Sequence, residues 1–230
     1  MRYAIALLLA LPLMAGDGVI ESLHARAETK LTASPESAFW RAAAPIYAER
    51  NALGETTPGH RTEMRSRWTA KNLYFLFICP YEELHLKPNP TTTEQTNNLW
   101  NWDVAEVFIG SEPGNIRHYT EFEVSPQGEW VDLDIWLDKP PIQQGWTWNS
   151  GFESRARIDT ERRIWYAEMR IPFSAIDKQP PRSGHTLRVN FYRIQGPPPN
   201  RRGIAWQPTG KRSYHVPESF GTLRLVRRRG

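Results

Sequence analysis

Along most of the chain, apolar and polar residues alternate with a period of two, and helical periodicity is scarce. Runs of this kind cover residues 64–68, 73–79, 105–110, 119–124, 130–137, 152–158, 164–171, 186–194 and 222–226, and 19–25 can serve as an opening strand. Turn-forming residues separate them at 71–72, 112–115, 126–128, 159–162 and 180–184, among them Pro113, Pro126, Pro180 and Pro181 and Gly114, Gly128 and Gly184. Only 35–44 and 173–176 read as helical; the first has Ser34 as an N-cap and Pro35 at the first helical position. This pattern predicts an all-β fold, an antiparallel β-sandwich of roughly 9–11 strands with one or two short helical turns.

Period-two reading also assigns faces. In the run Trp130 to Leu137, Val131, Leu133, Ile135 and Leu137 form a core side. Trp130, Asp132, Asp134 and Trp136 form an opposite side of alternating indole and carboxylate. Burying Phe122 and Val124 leaves Glu121 and Glu123 on the other face. Burying Leu187, Val189 and Phe191 leaves Arg188, Asn190 and Tyr192. If these faces coincide, one sheet presents carboxylates, an arginine, an asparagine and aromatics together. The simpler alternative is a solvated face with cross-strand ion pairs.

Length and composition narrow the class. The 230 residues suit one domain. Arg2 followed by the apolar residues 3–15 reads as a secretory signal ending near residue 16, with a second possible cleavage after 27. The domain would then occupy 17–226, with a basic tail at 227–230, and the mature protein would be exported without a membrane anchor. Cys79 is the single cysteine, so no intrachain disulfide can form and no cysteine-based metal site exists. The net charge of +4 owes much to Arg227, Arg228 and Arg229, and no basic stripe with interleaved aromatics marks a nucleic-acid groove.

Ten tryptophans are many for this length. Trp100 and Trp102 stand beside Asp103 and Glu106 at the entry to a strand. Aromatic faces next to carboxylates suit a sugar ring, which has an apolar face and a hydroxyl rim. A buried tryptophan would need only apolar neighbours and a partner for its N–H.

Five segments in order resemble the family 9 carbohydrate-binding modules and the related DOMON-type sandwiches. The central one runs from Trp100 through Asp103, Ala105 and Glu106 to Val107, Phe108 and Ile109, and is similar to the family's W-x-x-D-x-V-E-[IV]-[FY]-[IV]. The others are Arg65 to Tyr74, Tyr119 to Val124, Trp165 to Phe173, and the closing stretch from Ala205-Trp206 through Tyr214 to Leu225. The resemblance implies a non-catalytic carbohydrate-binding protein in which Trp100 and Tyr214 clamp a sugar. Glu106 would accept a hydroxyl, and Glu121, Glu123, Asn190 and Trp102 would complete the ligand-binding set. Two departures are Ala105 for the usual Val, and Glu123 where the family has a basic residue. The family also implies structural calcium, for which Glu112 is available, and partnership with exported glycoside hydrolases in polysaccharide breakdown.

Two other activities need weighing. Glycoside hydrolysis needs two carboxyls flanking a bond, and Asp132/Asp134 or Glu121/Glu123 would have to act across strands to do so. A haem b electron-transfer domain would need axial ligands from His60, Met64, His118, Met169 and His215.

Overall fold

Each alternating run forms a strand. The structure is a computed structural model that describes residues 18–142 and 148–228. The proposed signal, residues 1–16, and the last arginine of the tail lie outside the described residues. In chain order the strands are β1 (Val19–His24), β2 (Ile46–Ala48), β3 (Thr62–Trp68), β4 (Asn72–Pro80), β5 (Val104–Gly110), β6 (His118–Val124) and β7 (Trp130–Trp136). They continue with β8 (Glu153–Asp159), β9 (Ile164–Pro172), β10 (Thr186–Gln195), β11 (Arg202–Ala205) and β12 (Gly221–Val226). The helices α1 (Ala38–Arg41) and α2 (Phe173–Ile176) are one turn each. The all-β sandwich is therefore present, with 12 strands among the described residues.

The strands hydrogen-bond in the order β7-β6-β5-β10-β12-β1-β3-β4-β9-β8, with β11 on β10 and β2 on β3. All pairs are antiparallel except those of β1, which runs parallel to both β12 and β3. This long sheet folds over on itself. Phe75 of β4 meets Phe191 of β10 edge-on at 5.2 Å, and Phe122 of β6 meets Phe152 beside β8 at 5.2 Å. The inward residues (Phe75, Phe77, Val107, Phe122, Met169, Val189 and Leu223 among them) make one core between the two halves.

Two further apolar clusters cover outer faces, which explains strands that are apolar on both sides. On β4, Tyr74 and Leu76 point away from the main core and are covered by Trp40 of α1. Helix α1 is shorter than the 35–44 pattern suggests, and its N-cap is Ser37, whose hydroxyl accepts from Trp40 N at 3.4 Å. The second outer cluster lies on β5, β6, β7 and β10. It corrects the face assignment of β7: Val131, Leu133 and Ile135 are buried, but outside, in this second cluster. Register is the reason. Leu133 pairs with Glu121 and Val131 with Glu123, whereas Asp132 pairs with Phe122. The glutamates and the aspartates are thus on opposite faces of one sheet.

Candidate functional site

The outer face of β5, β6, β7 and β10 gathers most of the residues singled out from the sequence. Glu106 pairs with Glu123 on one side and with Tyr192 on the other, while Phe108 pairs with Glu121 and Asn190. Glu106, Glu121, Glu123, Asn190 and Tyr192 therefore share a face, as the alternation implied. Around the acids lies an aromatic layer. Phe108 stacks on Tyr119 at 5.6 Å and meets Tyr192 edge-on at 4.9 Å, and Tyr192 stacks on Tyr214 at 4.5 Å.

Trp100 and Tyr214 both lie half-buried at the border of this cluster. Trp100 rides on a 3-10 turn, Leu99–Asn101, anchored by buried Leu99. Tyr214 lies over β11, where a Cβ on Gly203 would fall 1.6 Å from the tyrosine hydroxyl, so only glycine leaves room for the ring. Trp102, also half-buried, has the Lys87 ammonium 5.9 Å from its ring centre. Asp103 faces inward. It is fully buried and accepts from the backbone N–H of Gly196 at 2.7 Å and of His85 at 3.2 Å, tying two loops to the entry of β5.

Asn190 works inward as well. Its amide donates to Tyr192 Oη at 2.7 Å and to Gln207 O at 2.8 Å, and its carbonyl accepts from Phe191 N and Gln207 N. Sequence reasoning missed Arg201, which donates to the carbonyls of Trp100 and Trp102, both at 2.6 Å. It sits in a proline-rich loop whose sequence carries no periodic signal. Arg201 favours the ionised form of Glu106.

The three glutamates are buried, and both carboxylate oxygens of Glu123 and one of Glu121 lack hydrogen-bond partners in the chain. Burial is the main cause that pushes all three up. Glu121 reaches about 7, and Glu106 and Glu123 rise well above the usual range because each also feels a neighbouring carboxylate. On the same face His215 stacks on Phe108 and shares a 2.6 Å hydrogen bond with Tyr119 Oη; burial lowers it to about 4. The site is thus an aromatic surface over proton-holding acids, able to stack on a ring and to exchange hydrogen bonds at its rim.

The residues offered for other chemistry are scattered. Met64 and Met169 are enclosed in the inter-sheet core, and His60 is buried. His215 and His118 lie on opposite faces of the sheet, bonded to Tyr119 and Asp134 respectively. Glu112 stands between Lys178 and His118 at 3.8 and 3.9 Å, and no three metal-ligating side chains converge among the described residues.

Known proteins share this fold. The chain is 23% identical over 182 residues to an extracellular protein of Arthroderma benhamiae, covering 74% of this chain and 80% of the relative. It is 22% identical over 195 residues to endo-1,4-beta-xylanase A of Thermotoga neapolitana, covering 82% of this chain but only 16% of the xylanase. A family 9 carbohydrate-binding module from Caldicellulosiruptor kristjanssonii, solved with cellotriose, shares the fold at a TM-score of 0.66 and 13% identity; the match covers 92% of this chain and 95% of that one. A candidate carbohydrate-binding protein from Bacteroides uniformis superposes at a TM-score of 0.70 with 14% identity, over 90% of this chain and 99% of that one. Residues 35–228 match the family model described as carbohydrate family 9 binding domain-like, and the chain belongs to that family.

Proposed function

We propose that this is an exported, non-catalytic protein that holds a glycan, or the end of one, between Trp100 and Tyr214 and supports polysaccharide breakdown. The observation that carries this reading is the placement of both aromatics, half-buried, at the border of one apolar cluster whose sheet face also bears Glu106, Glu121 and Glu123. Rings held at such a border can stack on a pyranose without leaving the fold. The acids lie buried beneath this aromatic layer, where burial favours their protonated form. Trp102 and Arg201 extend the rim. The separation of Asp132 and Asp134 from Glu121 and Glu123 by the thickness of the sheet argues against a hydrolytic pair built from β6 and β7.

Export rests on residues 1–16 and is supported by the extracellular relative. Partnership with glycoside hydrolases is supported by the match to a fraction of a xylanase. Calorimetry with glucose, cellotriose and xylotriose tests the site. Trp100→Ala and Tyr214→Ala should each lose about tenfold to a hundredfold in affinity, taking a stacked ring at roughly 1–3 kcal/mol. Unchanged affinity in both variants would reject the pair. A core role for Trp100 would instead appear as about 3–5 kcal/mol of lost stability.

A further inference from the structure

The indole-and-carboxylate face of β7 is not part of the site above, yet it is not idle. It looks into the opening between the two halves of the sandwich, at the end where the apolar filling stops. There a cavity of about 550 Å³ is lined by Asp134, Thr120, Asn115, Trp148, Ile176 and Asp177. Its floor is a single cross-strand row, since Ile109 pairs with Thr120 and Thr120 with Asp134. Two residues further along β6, Phe122 fills the same inter-sheet space, so the cavity exists because this row ends in small and polar side chains. Its volume falls within the range of about 300–1,000 Å³ typical of small-molecule sites.

We infer that this cavity is a second saccharide-binding site, separate from Trp100 and Tyr214, for a neutral sugar ring stacked against Trp148. Charge decides for a neutral ligand. Each carboxylate at the cavity already has a basic partner: Asp134 has His118 at 2.7 Å, Glu112 has Lys178 at 3.8 Å, and Asp177 has His185 at 3.0 Å. An ion would have to break one of these pairs, whereas a polyol can share them. Asp134 is set for that role. One oxygen accepts from His118 Nε2 and the other from Trp136 Nε1 at 2.9 Å, which leaves a lone pair on each for a hydroxyl. Those bonds also lock the carboxylate, because the His118 ring is itself stacked on Trp136 at 3.8 Å. The half-buried Trp148 supplies the apolar wall, tilted against Phe122 at 6.1 Å, and its carbonyl is held by Gln95 at 2.5 Å.

Fluorine NMR of the full chain labelled with fluorotryptophan tests this, with resonances assigned through single Trp→Phe variants. The probes are glucose, cellotriose, xylotriose and N-acetylchitotriose, each titrated to saturation. At least one should move the Trp148 resonance along its own binding curve. Asp134→Asn should weaken that curve by about tenfold or more. In both Asp134→Asn and Trp148→Ala the response of Trp100 should keep its midpoint. Trp100→Ala should leave the Trp148 curve in place. A Trp148 resonance unmoved by every probe would overturn the proposal, as would a Trp148 response that vanishes with Trp100→Ala.

Discussion

Glu106 stands directly opposite Glu123 across the β5–β6 pair, both side chains buried; burial and the Glu121 carboxylate raise the proton affinity of Glu106, and burial, Glu106 and Glu121 raise that of Glu123. Like charges at directly opposed strand positions are destabilising, and burial removes the water that would screen them. The pair, joined by Glu121, survives in the fold by holding protons. These buried carboxyls therefore keep their protons to higher pH than exposed glutamates do.

This arrangement links stability to pH. The folded chain binds protons on Glu106, Glu121 and Glu123 more tightly than the unfolded chain, whose glutamates titrate near 4.5. The stability they contribute is complete below about 4.5 and falls as pH rises through about 7, where Glu121 ionises. His215, lowered to about 4, acts in the opposite sense between 4 and its ordinary value of 6.5. Comparison with Glu123→Gln separates the two, because that variant keeps His215. The fall in melting temperature from pH 5 to pH 8 should be smaller in Glu123→Gln than in the wild type by several degrees, at roughly 2–4 °C per kcal/mol for a domain of this size. An equal fall in both proteins would mean that Glu123 carries no extra proton.

Gly203 is predicted to control the position of Tyr214. In Gly203→Ala the new methyl would overlap the tyrosine hydroxyl and come within 2.9 Å of Cζ, and the end of the ring is what can yield. The ring should swing off β11 and lose its stack on Tyr192. Glycan affinity should then fall about as far as in Tyr214→Ala, roughly tenfold or more. The melting temperature should change little, since the ring that must move is half-buried at the border of the cluster rather than enclosed in the core. Retained affinity in Gly203→Ala would show that Tyr214 does not need this seat.

Much of this was legible in the alternation of the sequence, and the gaps have physical causes. All nine internal runs became strands, and Glu121, Glu123 and Asn190 fell on one face because period two survives any register. Which face of β7 joined them depended on the pairing of Leu133 with Glu121, which no single strand encodes. The short β2 and β11 were missed because three or four residues hold too little pattern. Arg193 lies on the apolar side of β10 yet is fully buried, with its guanidinium bonded to Thr62 Oγ1 and Pro80 O. Alternation reports which side a residue faces, not whether a distant backbone carbonyl awaits it.

Glu168 on β9 should prove the most costly acid to remove. Its buried carboxylate accepts from Thr32 N at 2.6 Å, Ala33 N at 2.7 Å and Trp40 Nε1 at 2.8 Å, fastening the segment before α1 over β4. Glu168→Ala leaves three donors without an acceptor, at about 1–3 kcal/mol for each one that stays buried. Denaturant unfolding should show a loss of several kcal/mol, with early protease cleavage between β1 and α1. A loss below about 1 kcal/mol would mean that the strap is held by apolar contacts alone.

The last prediction concerns Asp103, which joins the fold to the site. It lies between Trp102 and β5, and its two carboxylate oxygens capture Gly196 N and His85 N. The same loop that contains Gly196 carries Arg201, which in turn holds the carbonyls of Trp100 and Trp102 and the carbonyl of Gly196 at 3.1 Å. Asp103 thus fixes the turn that carries Trp100 through a ring of backbone contacts, and its own side chain is fully buried. Asp103→Ala should strand two backbone donors, lowering stability by about 1–3 kcal/mol for each that remains buried. It should also loosen the Trp100 turn, so glycan affinity should fall in a protein that is still folded. Asp103→Asn keeps the shape and one carbonyl acceptor, and should recover part of both losses. Fluorescence titration at a temperature well below the melting point of each variant checks this. Affinity unchanged in a destabilised Asp103→Ala would show that the turn keeps its place without Asp103 and would confine Asp103 to stability.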